Sequence, residues 1–154
     1  MGTDTAPPDM VLNMAIGVMM ARMAGDTLEE TAPEHMFNAA TLGGAAALGR
    51  ADLGRLAAGA KADIAIFDMQ DNLMAPRVDP VRTLILGATG RVTRAVFVDG
   101  RLSMRMGEVA GMDMSAARER AQAQFDVLRT KYPDRTWGHP PVDTIFPSAF
   151  KRFA

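Results

Sequence analysis

No cysteine occurs in the 154 residues. That removes any disulfide framework and any thiolate metal site, and it suits a reducing compartment, the cytoplasm. Aromatic residues are sparse at 6%, and there are only two histidines, His35 and His139. The shortage of histidine matters because imidazole is the commonest side-chain metal ligand and the usual proton carrier near neutral pH. An excess of charge of one sign is lacking too. Lys and Arg number 17 against 18 Asp and Glu, for a formal net charge of -1. This gives no electrostatic reason to expect nucleic acid or an anionic membrane as partner. No apolar run approaches the ~18–20 residues of a membrane helix. The first residues also lack the basic-then-apolar pattern of a secretory leader, so neither is expected.

What is present is ordinary in total and unusual in one count. A composition of 48% hydrophobic and 23% charged residues is that of a globular chain. The length allows one domain with a sizeable core. There are 13 methionines, several of them in the stretch Met10–Met23. Methionine fills irregular apolar gaps, so this reads as packing. A copper or soft-cofactor site would need His or Cys nearby, and there is none.

Local signals are clear from Asp9 onward. Asp9 can cap a helix running to Met23 or Ala24, with Gly25 available to end it. Leu12, Ile16, Met19, Met20 and Met23 keep helical spacing, while Met10, Val11, Met14 and Val18 spread apolar groups around the rest. A helix apolar nearly all round wants cover on most sides. Pro33 suits the first turn of a second helix, and "LGGAAALG" reads as a short third one closed by Gly49. "ADIAIFD" (Ala62–Asp68) predicts a short strand with apolar side chains on both faces, expected to be covered on both. Asp79-Pro80 starts a helix with Val81, Leu84 and Ile85 as its stripe. "RVTRAVFVDGRLSMRMG" predicts a hairpin turning at Asp99-Gly100. Asp113 or Ser115 caps a long helix with Ala117, Ala121, Phe125, Leu128 and Tyr132 as its stripe, and a Pro-rich, aromatic tail follows. "GATGRVT" and "LGGAAALG" match neither phosphate-loop pattern, so nucleotide binding is not expected.

The stretch Asn38–Asp68 carries an ordered pattern: Ala40-Thr41, Gly44-Ala45, Leu48-Gly49, Gly54, Leu56, Gly59 and Lys61-Ala62-Asp63. With these residues the chain resembles the amidohydrolase superfamily, in particular its cytosine deaminase and chlorohydrolase branch, which includes guanine deaminases and triazine hydrolases. Asp79–Val109 and the "VDTIFPSAF" ending are similar to the same branch, so the resemblance covers nearly the whole chain.

The resemblance implies an α+β fold that is the C-terminal part of a metal-dependent hydrolase. Residues 1–49 would be the end of a β/α barrel with its following helices. Residues 50–110 would be part of a composite β-sandwich with one helix, and 111–154 a C-terminal helix and wrapping tail. It also gives meaning to the opening "MGTDTAPPDM", too short for a strand and broken by two prolines. Gly2-Thr3-Asp4 matches the family triplet that ends the eighth barrel strand. The implied roles of Asp4 are metal ligand and general base for one zinc or iron ion, which activates water against a heteroaromatic ring carbon to displace ammonia, an amine or chloride. The family's histidine ligands lie on earlier strands, and His35 and His139 do not stand at their positions. The chain alone is therefore expected to hold no ion tightly and to turn over no substrate. Its expected partners are the missing N-terminal barrel portion, a small heteroaromatic substrate and, in the complete enzyme, further copies of itself. Without them it should be poorly soluble, oligomeric or marginally stable. The alternative is a non-catalytic packing or partner-binding module that retains the family's C-terminal fold.

Overall fold

The computed structural model describes residues 1–4, 7–25 and 32–150. Helix α1 spans Met10–Ala24, α2 Pro33–Ala40 and α3 Leu42–Ala47. Strand β1 (Ile64–Phe67) is followed by helix α4 (Pro80–Gly87), β2 (Thr93–Val98), β3 (Arg101–Arg105) and the short β4 (Glu108–Val109). Helices α5 (Met114–Arg135) and α6 (Val142–Ile145) complete the described elements. Two compact units result, Met1–Ala110 and Gly111–Ala154. Among the described residues no helix is long and apolar enough to cross a membrane.

The first unit is helices beside one antiparallel sheet, ordered β1-β2-β3-β4. Local chemistry sets most boundaries. Asp9 accepts from the Leu12 amide to open α1, and Asp79 accepts from the Arg82 amide to open α4, with Pro80 in its first turn. Asp99 and Gly100 turn the β2–β3 hairpin at φ 48° and 77°, the positive pair that a two-residue turn requires. The core lies between α1 and α4, where Val11, Met14 and Val18 meet Met74, Leu84, Ile85, Ala88 and Val92.

The structure chooses between the two apolar stripes of α1 and corrects one expectation, for β1. In α1 the buried stripe is Val11, Met14, Ala15 and Val18. The rival stripe Ile16, Met19, Met20 and Met23 faces out, with Met23 82% exposed. Both follow the same helical spacing, and α4 and the 72–74 turn take the first. Strand β1 is not fully covered on both faces: Ile66 is 47% exposed, and Ala65, on the opposite face, is exposed too.

In the second unit, α5 is capped by Asp113, which accepts from the Ser115 and Ala116 amides. Phe146 packs edge-on against Phe125 and Tyr132, at ring-centroid separations of 5.9 and 5.3 Å. Part of the expected stripe therefore meets the chain's own tail, yet no described residue of this unit is buried.

Candidate metal ligand and its supporting frame

The Gly2-Thr3-Asp4 triplet lies ahead of α1, and the segment Met1–Asp4 is tied to both α1 and α2. The Met1 amino group donates to the Ala39 carbonyl at 3.3 Å. The Asn13 side-chain amide donates to the Gly2 carbonyl. A Cβ placed on Gly17 would stand 3.1 Å from the Met1 methyl carbon and 2.8 Å from the Met36 sulfur, so the missing side chain there makes room for both. Asn13 and Gly17 are four residues apart and share one face of α1. The segment therefore runs along that face from Gly17 past Asn13 toward the helix's N-terminal end. Asp4 follows, exposed, at φ 53°. Aspartate is one of the few residues with a side chain that tolerate this left-handed backbone. Among the described residues no ion pair engages its carboxylate.

The frame is fixed at the other end of the first turn by Asp9. Its carboxylate accepts from the Leu12 amide at 3.1 Å and takes the Gly90 amide on both oxygens, at 3.0 and 2.8 Å. A Cβ on Gly90 would fall 2.9 Å from that carboxylate, so a side chain there would push the carboxylate back. One side chain thus caps the helix and joins it to the turn that leads into β2.

The pattern Asn38–Asp68 proves to be scaffold. Gly54 sits at φ 75° against the Thr41 carbonyl. The Lys61 amide donates to the Asp52 carbonyl at 2.8 Å, and the Lys61 ammonium pairs with Asp99 at 2.8 Å. Asp63 accepts from the Asp99 amide at 2.7 Å, which holds the hairpin turn. Arg50 grips Asp52 through two bonds of 2.7 and 2.6 Å, and the guanidinium's hydrogen bonds hold the Asp52 carboxyl down to a pKa of about 2. The hydrogen bond to Asp99 raises Lys61, and the one from Arg94 lowers Asp68. These shifts belong to structural pairs remote from Asp4 in sequence.

The two histidines lie on other elements than Asp4. His35 is an exposed residue of α2. His139 lies in the second unit, its Nδ1 3.1 Å from the Pro133 carbonyl. Among the described residues no three His, Asp or Glu gather into a metal-binding group. Asp4 can fill one place in a donor set, and the set is not assembled by the described residues. Sequence periodicity passes over Asn13, since it asks only about apolar positions. The available signal was that Asn13 is the one polar side chain between Asp9 and Arg22.

Helices beside a small antiparallel sheet define the class of fold. The chain belongs to the amidohydrolase family, whose pattern matches residues 1–103. It is 34% identical over 135 residues to a 5-methylthioadenosine/S-adenosylhomocysteine deaminase of Halobacterium salinarum, covering 85% of this chain and 31% of that protein. Its fold is similar to a zinc-bound adenosine deaminase from Xanthomonas campestris, with a TM-score of 0.73 and 26% identity, over 76% of this chain and 27% of that one. An atrazine chlorohydrolase from Arthrobacter aurescens TC1 complexed with zinc is similar at a TM-score of 0.65 and 26% identity, over 73% of this chain and 25% of that one. The chain spans less than a third of the length of each of these proteins.

Proposed function

We propose that this chain is the C-terminal portion of a metal-dependent enzyme that hydrolyses a non-peptide C–N or C–Cl bond of a heteroaromatic ring, with Asp4 as its contribution to the metal site. The observation that carries the reading is the span of the family match, which takes in Gly2-Thr3-Asp4 and the Asn38–Asp68 pattern together. Two similar solved structures hold zinc, which supports one divalent ion, zinc or iron, in the complete enzyme. Two of the similar proteins are named deaminases and one a chlorohydrolase, which supports displacement of an amino group or chloride from a ring.

When bound, such an ion supplies one thing: it makes a water acidic enough to lose its proton near pH 7. The Asp4 carboxylate contributes an oxygen donor and accepts that proton. It then returns the proton to a departing nitrogen; chloride leaves without one. Its exposure and its place ahead of α1 suit this role, since barrel enzymes present catalytic side chains at the ends of strands.

The other donors come from a barrel portion that also covers the open apolar surfaces. An apolar cleft of about 680 Å³, lined in part by Met14, Phe37, Leu53, Ile64 and Phe67, supports such a partner. In this reading residues 1–49 close the barrel, 50–110 belong to a shared sandwich and 111–154 form an extension. The complete enzyme would be a cytoplasmic homo-oligomer, in keeping with the lack of cysteine.

The test is to produce the chain with its barrel portion, load it with zinc, and follow ammonia release from aminopurines and chloride release from chlorotriazines. Hydrolysis that falls by about a hundredfold or more in Asp4→Asn supports the reading. Full activity in that variant would remove Asp4 from the site. No hydrolysis with metal in place would favour the packing module.

A further inference from the structure

The segment that bears Asp4 is held by a side chain outside both the Gly2-Thr3-Asp4 triplet and the Asn38–Asp68 pattern. Asn13 lies one turn into α1, half-buried in an otherwise apolar run, and its amide donates to the carbonyl of Gly2. One turn further on, Gly17 leaves the space that the Met1 side chain fills. The Met1 amino group reaches the Ala39 carbonyl. The three contacts differ in strength as restraints. The amino-terminal hydrogen bond restrains Met1, three residues from Asp4, and a methionine side chain can shift around an added methyl group. The Asn13 bond acts on the backbone itself, two residues before Asp4.

We propose that Asn13 is a positioning residue for Asp4: by holding the Gly2 carbonyl against α1 it fixes the backbone from which the Asp4 carboxylate is presented. The inference rests on Asp4 being a metal ligand. A ligand carboxylate must keep its oxygen in place within a few tenths of an ångström, and groups that orient ligands commonly matter about 10–100-fold for metal affinity. Asn13 orients Asp4 through the chain, because its amide touches the Gly2 carbonyl and not the carboxylate. Asp9 and Gly90 complete the frame by fixing the first turn of the same helix to the turn before β2.

The experiment uses the complete metal-loaded enzyme and measures the zinc dissociation constant by competition with a chromophoric chelator, alongside the thermal midpoint. Asn13→Leu keeps the branching at Cγ, favours the helix and removes the donor. It is expected to weaken zinc about tenfold or more while the apo midpoint moves by no more than a few degrees. Asn13→Gln keeps the amide on a longer stem and should recover part of the affinity. Should Asn13→Leu not fold, Asn13→Ala, which also lacks the donor, decides the matter with the same readout. Asp4→Asn separates the two ideas. If it weakens zinc and the Asn13 variants do not, the positioning role is overturned and the ligand assignment stands. If Asp4→Asn leaves zinc unchanged, the ligand assignment fails and the inference falls with it. An equal loss of affinity and apo stability in both Asn13→Leu and Asn13→Gln would mark Asn13 as merely structural.

Discussion

Gly54 shows how a family pattern can encode a backbone requirement. At φ 75° a residue with a side chain is strained. Here a Cβ would also stand 2.7 Å from the Thr41 carbonyl oxygen, a backbone atom with no freedom to withdraw. Gly54→Ala should therefore destabilise by more than about 1 kcal/mol, measured as a shift in urea midpoint of the complete enzyme. Gly59, at φ 82° in open space, should show the backbone strain without the collision, so Gly59→Ala should cost less. Asp52 makes a prediction about pH. Its pKa of about 2 in the fold, set by the hydrogen bonds from Arg50, lies below that of an unfolded aspartate. The stability it contributes is fully present above about pH 4 and is lost as pH falls toward 2. The Asp52 carboxyl resonance should titrate near 2 and move upward in Arg50→Gln. A midpoint unchanged by that substitution would show that the pair does not set it.

Helix α1 is the element on which the reading turns, because it carries two apolar stripes and buries one. Val11, Met14, Ala15 and Val18 enter the core, while Ile16, Met19, Met20 and Met23 repeat the same spacing toward solvent. Replacing Met19 and Met23 by Glu should raise the solubility of the isolated chain and weaken its assembly with the barrel portion. Val18→Ala, inside the core, should cost about 1–3 kcal/mol in either setting. If the double Glu variant assembled as well as the parent, that stripe would not be an interface. The sequence shows the helix but cannot choose between the stripes, since periodicity reports spacing and only tertiary neighbours decide which face is taken. Where local chemistry is decisive it is legible: Asp99-Gly100 sets its own turn, and Asp9 and Asp79 set helix starts. Strand β1 is legible as a strand, and its exposed Ile66 is not, because the apolar pattern describes the cover it asks for. Asp4 stands out only through a family likeness. Asn13 becomes visible only when the fold brings Gly2 beside it.

For the whole chain, what matters is how little is closed. Besides Pro33, ten apolar residues of the described part are buried, from Val11 to Val92, and all belong to the first unit. Against them stand an apolar cleft of about 680 Å³, the open edge of β1 and the outer stripe of α1. Trp137 in the second unit is 99% exposed. Apolar surface on this scale marks an interaction site or drives association. The same incompleteness holds for chemistry, where one carboxylate cannot do what three or more protein ligands normally do for a catalytic ion. Both point to one experiment on the isolated chain. Zinc titration should show no tight one-to-one binding, and sedimentation should show association that grows with concentration. Adding the barrel portion should produce a discrete assembly, one tightly held zinc per pair of segments, and a sharper melt than either part gives alone. A monomer of the isolated chain that melts cooperatively and binds zinc tightly one-to-one would mean that the open faces need no cover and that Asp4 needs no other donors, and the proposal of a shared site would be abandoned.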